Sequence, residues 1–469
     1  MSITRRTVLA ASAALGLVPG VARAASKVSI RLDPRRRLRS IPADYMGLGF
    51  EALAVATPGL LSAENHAYVQ LVRNLGPQGV IRIGGNVSDF SVYDAKGPSK
   101  AQPKDTVLNQ ENFRQLRTFL DATGWKLIWG LNLGTGKLEN AVEEARAISD
   151  AVGDRLVAFE VGNEPDLFVH AGHRTGTWDY AHWYAEYRRF KTAIRAVLPH
   201  APFAGPDLAT GAVDWMQSFA RDEAGDIALL TAHHYITGQA NPAATLEFML
   251  QEERKYQPVL AKFQAIAESA RVPWRMCETA SFSGGGKAGV SDTFASALWA
   301  LDYLFVLASY GCSGVNMETG VNHLGVVSKY TPINDDLQGH HAAAPEYYGL
   351  LAFSQAAKGE QIAVFRDTGG VNLTGYATRE ASGAVTLVVI NKDSGRDAAV
   401  EVTGFSSGKA QVMRLTAPSL NAVTGVSLGG GTVDGQGKWS GGKTDPVKIT
   451  GGRASLDVPA ASAALITFA

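Results

Sequence analysis

Along the chain, short apolar runs that end in polar residues alternate with longer segments whose apolar residues recur at helical spacing. Tyr45–Glu51 reads as a strand and Asn65–Leu75 as the helix after it. Val80–Ile83 is followed by Glu111–Thr123, Lys126–Asn132 by Leu138–Val152, and Leu156–Val161 by Tyr180–Val197. Pro202–Gly205 precedes a helix over Trp215–Ala224, and Ile227–His233 precedes one long helical segment, Ala243–Ala270. Trp274–Glu278 leads to Ser291–Tyr310, and Gly314–Met317 to Pro345–Gln355. Eight strand-then-helix units over about 300 residues have the count and length of a (β/α)8 TIM barrel. A doubly wound open sheet competes, but no GxGxxG or GxxxxGKS/T element follows an early strand, so the barrel is expected.

The pattern changes after about residue 358. Val385–Ile390, Ala399–Val402, Ala410–Met413 and Ala464–Phe468 are short strand-like runs, and the glycine clusters at 429–431, 441–442 and 451–452 join them by turns. A C-terminal β-sandwich over 358–469 is expected, with Val28–Leu32 adding a strand from the N-terminal side, 25–44. The barrel then occupies 45–357. Residues 1–24 have a different character: Arg5-Arg6 stands before a mildly apolar run, Val8–Val18, and Ala22-Arg23-Ala24 offers a small-x-small cleavage site. That is a twin-arginine-type signal peptide, so a periplasmic or secreted protein is expected. No apolar stretch has the ~18 residues needed to span a bilayer.

Composition narrows the function. With 46% hydrophobic and 19% charged residues the chain is globular, not disordered. Forty-four basic residues balance 44 acidic ones, whereas a protein that coats nucleic acid normally carries a basic excess. The two cysteines, Cys277 and Cys312, form no metal-binding spacing, and neither metal nor cofactor is expected.

In a (β/α)8 barrel, reactive groups sit at the carboxyl ends of the strands. Those ends read Phe50-Glu51, Arg82-Ile-Gly-Gly-Asn86, Glu160-Val-Gly-Asn163-Glu164-Pro165, His233-His234-Tyr235, Cys277-Glu278-Thr279 and Asn316-Met-Glu318. Glycoside hydrolysis needs two carboxyl groups facing each other, one to protonate the leaving oxygen and one to attack or to activate water. The fourth and seventh strands lie on opposite sides of such a barrel, so Glu164 and Glu278 can flank one glycosidic bond. Asn163 beside Glu164 is placed to hold a sugar 2-hydroxyl. Each residue also has a plainer reading. Asn-Glu-Pro is a common turn, a strand-end Glu is usually solvated or ion-paired, and it is the joint pattern that points to catalysis. Glu318 is the rival nucleophile, but the eighth strand is further from the diametric position. His233-His234 makes a poor metal site, because adjacent strand residues face opposite ways. By the same alternation Cys277 points away from Glu278, as a buried thiol.

Val161-Gly-Asn-Glu164-Pro-Asp166, His233-His234-Tyr235, Ile81-Arg82-Ile-Gly-Gly-Asn86-Val-Ser-Asp89-Phe90 and Glu278-Thr-Ala-Ser-Phe-Ser-Gly284-Gly-Gly286, followed by Ser291-Asp-Thr-Phe294-Ala, resemble glycoside hydrolase family 79. That family holds heparanase and its bacterial β-glucuronidase relatives, and the resemblance spans the chain after the signal. It implies that Glu164 is the acid/base and Glu278 the nucleophile of a double displacement. It further implies that Gly284 and Gly285 offer backbone N–H groups to the sugar carboxylate, in keeping with a glycine run that lets an anion approach the backbone. Tyr235 would adjoin the nucleophile and Tyr330 the carboxylate, Glu51 and Asp89 would contact sugar hydroxyls, and Asn86 and Asn163 complete the substrate-binding set.

The chain departs from human-type heparanase in having only about 20 residues between its second strand and second helix, so a single chain active without excision is expected. Lys96, Lys100 and Lys104 in that segment read either as sulfate-binding groups or as a solvated loop. The expected function is an exo-acting retaining β-glucuronidase, monomeric, whose partner is a glucuronic-acid-containing oligosaccharide or polysaccharide. Endo-acting heparanase-like cleavage, another retaining glycosidase acting on arabinofuranosides or xylosides, and a binding barrel without catalysis are the alternatives.

Overall fold

The computed structural model describes residues 25–209, 211–251, 254–320, 327–336 and 338–469. The signal-peptide reading of 1–24 lies outside the described residues. Eight parallel strands, Met46–Glu51, Val80–Gly84, Lys126–Leu131, Leu156–Val161, Ala204–Leu208, Leu229–Gly238, Trp274–Ser283 and Cys312–Glu318, pair in the order 4-3-2-1-8-7-6-5. Between the fourth and fifth strands the barrel closes on a single parallel bridge, Phe159 with Phe203, where the Phe159 N–H donates to Pro202 O at 2.9 Å. The fold is the expected (β/α)8 barrel.

Local chemistry sets the helices between these strands. Gln110–Thr123 starts at a capping box in which Asn109 and Asn112 satisfy each other's backbone N–H, and stops at Gly124 in the left-handed region. The side chain of Asp179 caps Tyr180–Val197 by accepting from the His182 N–H. The helical segment expected over Ala243–Ala270 is broken into Leu246–Met249 and Gln257–Ala270. Pro258 is the cause: it lacks an N–H and fits only the first turn of a helix, so the second helix begins there. Two interior-facing glycines of the first strand make room in the barrel. A Cβ on Gly47 would stand 2.6 Å from the Arg275 guanidinium, and one on Gly49 would stand 2.7 Å from Glu318 Oε2.

Apart from two small two-stranded sheets, Val92–Tyr93 with Val107–Leu108 and Ile333–Asp335 with His341–Ala343, the remaining described strands form one 11-stranded sheet that folds over on itself as a sandwich. Ser26–Ser40 lies in its middle, antiparallel to Glu360–Asp367 and parallel to Ala398–Thr403, so the N-terminal segment does join this assembly. Alternate residues Val28, Ile30 and Leu32 enter its core with Val400, Val402, Leu387, Val389 and Ile466. The helix Phe294–Ser309, apolar on nearly every side, is buried between barrel and sandwich. On it Asp302 accepts hydrogen bonds from Lys392 Nζ (2.5 Å), Thr374 Oγ1 (2.6 Å) and Tyr376 OH (2.8 Å), all from the sandwich.

Lys392 and Asp302 are both largely removed from water. Asp302→Leu strands the ammonium, and removing one partner of a buried ion pair costs about 3–5 kcal/mol. We expect a clear fall in the urea midpoint of unfolding for Asp302→Leu, largely restored in Asp302→Leu/Lys392→Met.

Candidate active site

The site is built on Arg82, a fully buried arginine of the second strand. Its side chain points into the barrel and crosses to four other positions. Nε donates to Glu160 Oε2 at 3.0 Å and Nη1 to Glu278 Oε2 at 2.7 Å. Nη2 donates to Asp207 Oδ2 at 2.6 Å and to Asn163 Oδ1 at 2.9 Å. A guanidinium is suited to this because its donors lie in a fixed planar fork.

His233 completes the frame. It is buried, with Nε2 2.7 Å from Asp207 Oδ1 and Nδ1 3.0 Å from Glu164 Oε1. Burial alone would lower the imidazole, but the Asp207 and Glu278 charges hold it well above its ordinary value, so both ring nitrogens act as donors. Burial would likewise raise Asp207, yet Arg82 and His233 hold it down to about 2. Glu160, deeper in the barrel, is pushed up to about 7 by burial and by Asp207.

The two glutamates are shifted in opposite directions. Burial raises Glu164, and the nearby Glu278 charge adds to this against the pull of His233. For Glu278, burial is outweighed by His233, Arg82 and a 2.7 Å hydrogen bond from Tyr235 OH to Oε1, so its carboxyl lies below the usual glutamate value. One carboxylate oxygen of each glutamate and one nitrogen of His233 lie within 4.8 Å of one another. These three could be read as metal ligands. Each is already engaged, however, with Glu278 on Arg82 and both His233 nitrogens on carboxylates, and a cation here would oppose the arginine.

Backbone irregularities aim these groups. The register of the seventh strand against its neighbours shifts between Met276 and Glu278, a bulge that turns Glu278 into the pocket. Cys277 therefore does not point away from the barrel as alternation requires. It packs in the inner layer with Val80, Ile128, Ala158, Ala204 and Leu229, a free thiol raised by burial. A second shift between Pro206 and Leu208 turns Asp207 inward at φ 60°, and Glu164 sits at φ 52°. Non-glycine residues in this region carry strain of order 1–3 kcal/mol, held here by the Glu164 N–H to Asp207 O bond and the ion pairs.

Above the frame opens a cavity of about 440 Å3, bordered by Glu51, Asn86, Glu164, Tyr235, Glu278, Gly284, Glu318 and Tyr330, and by both His233 and His234. Glu51 accepts from the Val87 N–H, and Asn163 holds its amide oxygen on Arg82 with its nitrogen 3.5 Å from Asn86 Oδ1. Gly284, Gly285 and Gly286 all have positive φ, and the chain there is tied to the Tyr330 segment by Lys329 N–H to Gly285 O. Gly285 itself is buried beside this rim. Asp89 is corrected: it does not border the cavity. It is buried and accepts the backbone N–H groups of Leu133, Gly134 and Asn163, so it positions the Asn163–Glu164 turn and has no face toward a sugar. Lys96, Lys100 and Lys104 are also away from the cavity, with Lys100 paired to Asp105.

Asp207 and Glu160 escape sequence reasoning. Asp207 follows a proline in a weak strand signal, and Glu160 belongs to the strand body where an acid looks misplaced. Their only signal is that each is a charged residue in an otherwise apolar run, which is a buried-partner signature when an arginine such as Arg82 occupies another strand.

A (β/α)8 barrel whose mouth holds a high and a low carboxyl across such a gap defines a glycosidase of the two-glutamate type. Residues 375–465 match the model for the glycosyl hydrolase family 79 C-terminal beta domain. The chain is 25% identical over 438 residues to a β-glucuronidase of Aspergillus niger, covering 79% of each chain. It is 24% identical over 395 residues to heparanase of Mus musculus, covering 69% of this chain and 71% of that one. A solved structure, a 4-O-α-L-rhamnosyl-β-D-glucuronidase from Fusarium oxysporum, superposes with a TM-score of 0.77 at 19% identity, over 93% of this chain and 100% of that one. Residues 375–465 thus carry a family 79 C-terminal domain, and the chain as a whole is similar to β-glucuronidases and heparanase.

Arg82→Met removes the guanidinium that pairs with the three buried carboxylates Glu160, Asp207 and Glu278. We expect destabilisation of at least 3–5 kcal/mol in urea unfolding at neutral pH, shrinking as pH falls and the orphaned acids take up protons.

Proposed function

We propose that the protein is a retaining β-glucuronidase that releases a terminal glucuronate by double displacement. The observation that carries this is the pair Glu164 and Glu278: their oxygens approach within 4.8 Å, and their surroundings drive one carboxyl up and the other down. Inverting enzymes need a wider gap, about 6.5–9.5 Å, to admit water between the carboxyl groups. In this reading Glu278, anionic and oriented by Arg82 and Tyr235, attacks the anomeric carbon. Glu164, neutral, gives its proton to the leaving oxygen, then takes one from the water that releases the sugar.

The acidic sugar is read from the glycine run and Tyr330. Left-handed glycines leave the backbone unobstructed for an anion, and all three of Gly284, Gly285 and Gly286 have positive φ. Among the described residues none that borders the cavity is a lysine or arginine, which favours a single terminal sugar over a gripped sulfated chain. No described helix is long and apolar enough to cross a membrane. With Arg5-Arg6 and Ala22-Arg23-Ala24, we read a monomer exported through a twin-arginine route.

Three outcomes test this. Glu278→Gln abolishes turnover of every glycoside, whereas Glu164→Gln impairs mainly those with poor leaving groups and removes the alkaline limb of the pH–rate profile, since that limb is Glu164 losing its proton. The aryl β-D-glucuronide is preferred to the aryl β-D-glucoside by about a hundredfold or more in kcat/KM, the worth of two charge-assisted hydrogen bonds at roughly 1.5–3 kcal/mol each. Early digestion of heparan sulfate yields free glucuronate with little loss of chain length. A rapid fall in chain length would instead establish endo cleavage, and an inverted anomer by NMR would overturn the mechanism.

A further inference from the structure

Glu318, at the end of the eighth strand, plays no part in the mechanism above, yet it borders the same cavity. It is 2% exposed, and its Oε2 is buried without a hydrogen-bond partner among the described residues. The space it fills exists because Gly49, its neighbour on the first strand, has no side chain. A buried carboxyl oxygen without a partner is costly, so a group with no role would be replaced at little loss. Its position is specific. A Cβ on Gly320 would lie 3.3 Å from the Tyr330 ring, so the strand end runs directly under the tyrosine that closes the glycine-lined side.

We propose that Glu318 is a specificity-determining residue for the acidic sugar, donating a hydrogen bond from its carboxyl O–H to the sugar's carboxylate beside Tyr330. This rests on the glucuronidase reading. Donation needs the neutral form, and the surroundings favour it. Burial pushes Glu318 well above the usual glutamate range, and the charges of Glu278 from the seventh strand and Glu51 from the first add to this. Arg82 and His233, facing it from the second and sixth strands, pull the other way and are outweighed. Tyr330, Tyr235 and Tyr68 also face it; each is raised chiefly by burial, and the Glu318 charge adds to this. A neutral acid donates to a carboxylate; once ionised it repels the same group, while a neutral sugar feels little of the change. The preference for glucuronide over glucoside therefore declines as pH rises through the Glu318 value.

The experiment is the ratio of kcat/KM on 4-nitrophenyl β-D-glucuronide and β-D-glucoside, from about pH 5 to about pH 9. Titration of Glu164 and Glu278 affects both substrates and cancels in the ratio. The wild type should lose tenfold or more of its preference across this range. Glu318→Gln, which still donates through its amide but cannot ionise, should hold a preference that does not vary with pH. Glu318→Leu should show a low preference throughout. A wild-type ratio independent of pH, or the same decline in Glu318→Gln, overturns the proposal while leaving a glucuronidase in place. A wild type that prefers the glucoside at every pH removes the glucuronidase reading and this proposal with it.

Discussion

One buried guanidinium governs the barrel mouth. Arg82 has no access to water and reaches residues from the fourth, fifth and seventh strands. Taking a charge out of water is expensive, and only several well-aimed acceptors return that energy. The acceptors are the site itself. Placing Glu160, Asp207, Asn163 and Glu278 around one planar fork fixes the distances between strands that are remote in sequence, and it does so with hydrogen bonds that have little angular freedom. Asp89 extends the same logic to the backbone by holding the N–H of Asn163.

Division of labour between the two glutamates follows from how the positive charge is shared. Glu278 meets Arg82 directly and lies 3.9 Å from His233, whereas Glu164 meets only the imidazole, whose other side is committed to Asp207. The carboxyl with two cations is held below the usual glutamate value; the one with a shared cation, buried and facing a neighbouring anion, is pushed above it. Neither carboxyl needs to be unusual in itself. The asymmetry lies in how Arg82, His233 and Asp207 are arranged around the pair.

Much of this was legible in the sequence, and the parts that were not have physical reasons. Alternation of apolar runs with helical spacing showed the barrel and sandwich because burial imposes those periods directly. Strand ends located Glu164, Glu278, Glu51 and Tyr235 in one cavity because topology puts all such ends at one mouth, and the family resemblance added Tyr330. Period-two reasoning failed where a bulge adds a residue: it sent Cys277 outward and had no place for Asp207. Asp89 was misjudged for another reason, since an acid near a strand end serves equally well as a backbone acceptor, and only the three N–H groups around it decide the matter. Pro258 was visible and should have divided the segment after the sixth strand.

The central claim is that the Arg82–His233–Asp207 frame holds Glu164 neutral and Glu278 ionised in the free enzyme. Carboxyl 13C NMR titration of the glutamate-labelled protein tests it most directly, with the two signals assigned by their loss in Glu164→Gln and Glu278→Gln. The account predicts that the Glu278 signal titrates below the ordinary glutamate value of about 4.3 and the Glu164 signal above it. Two signals titrating together at that ordinary value, or in the reverse order, would contradict it.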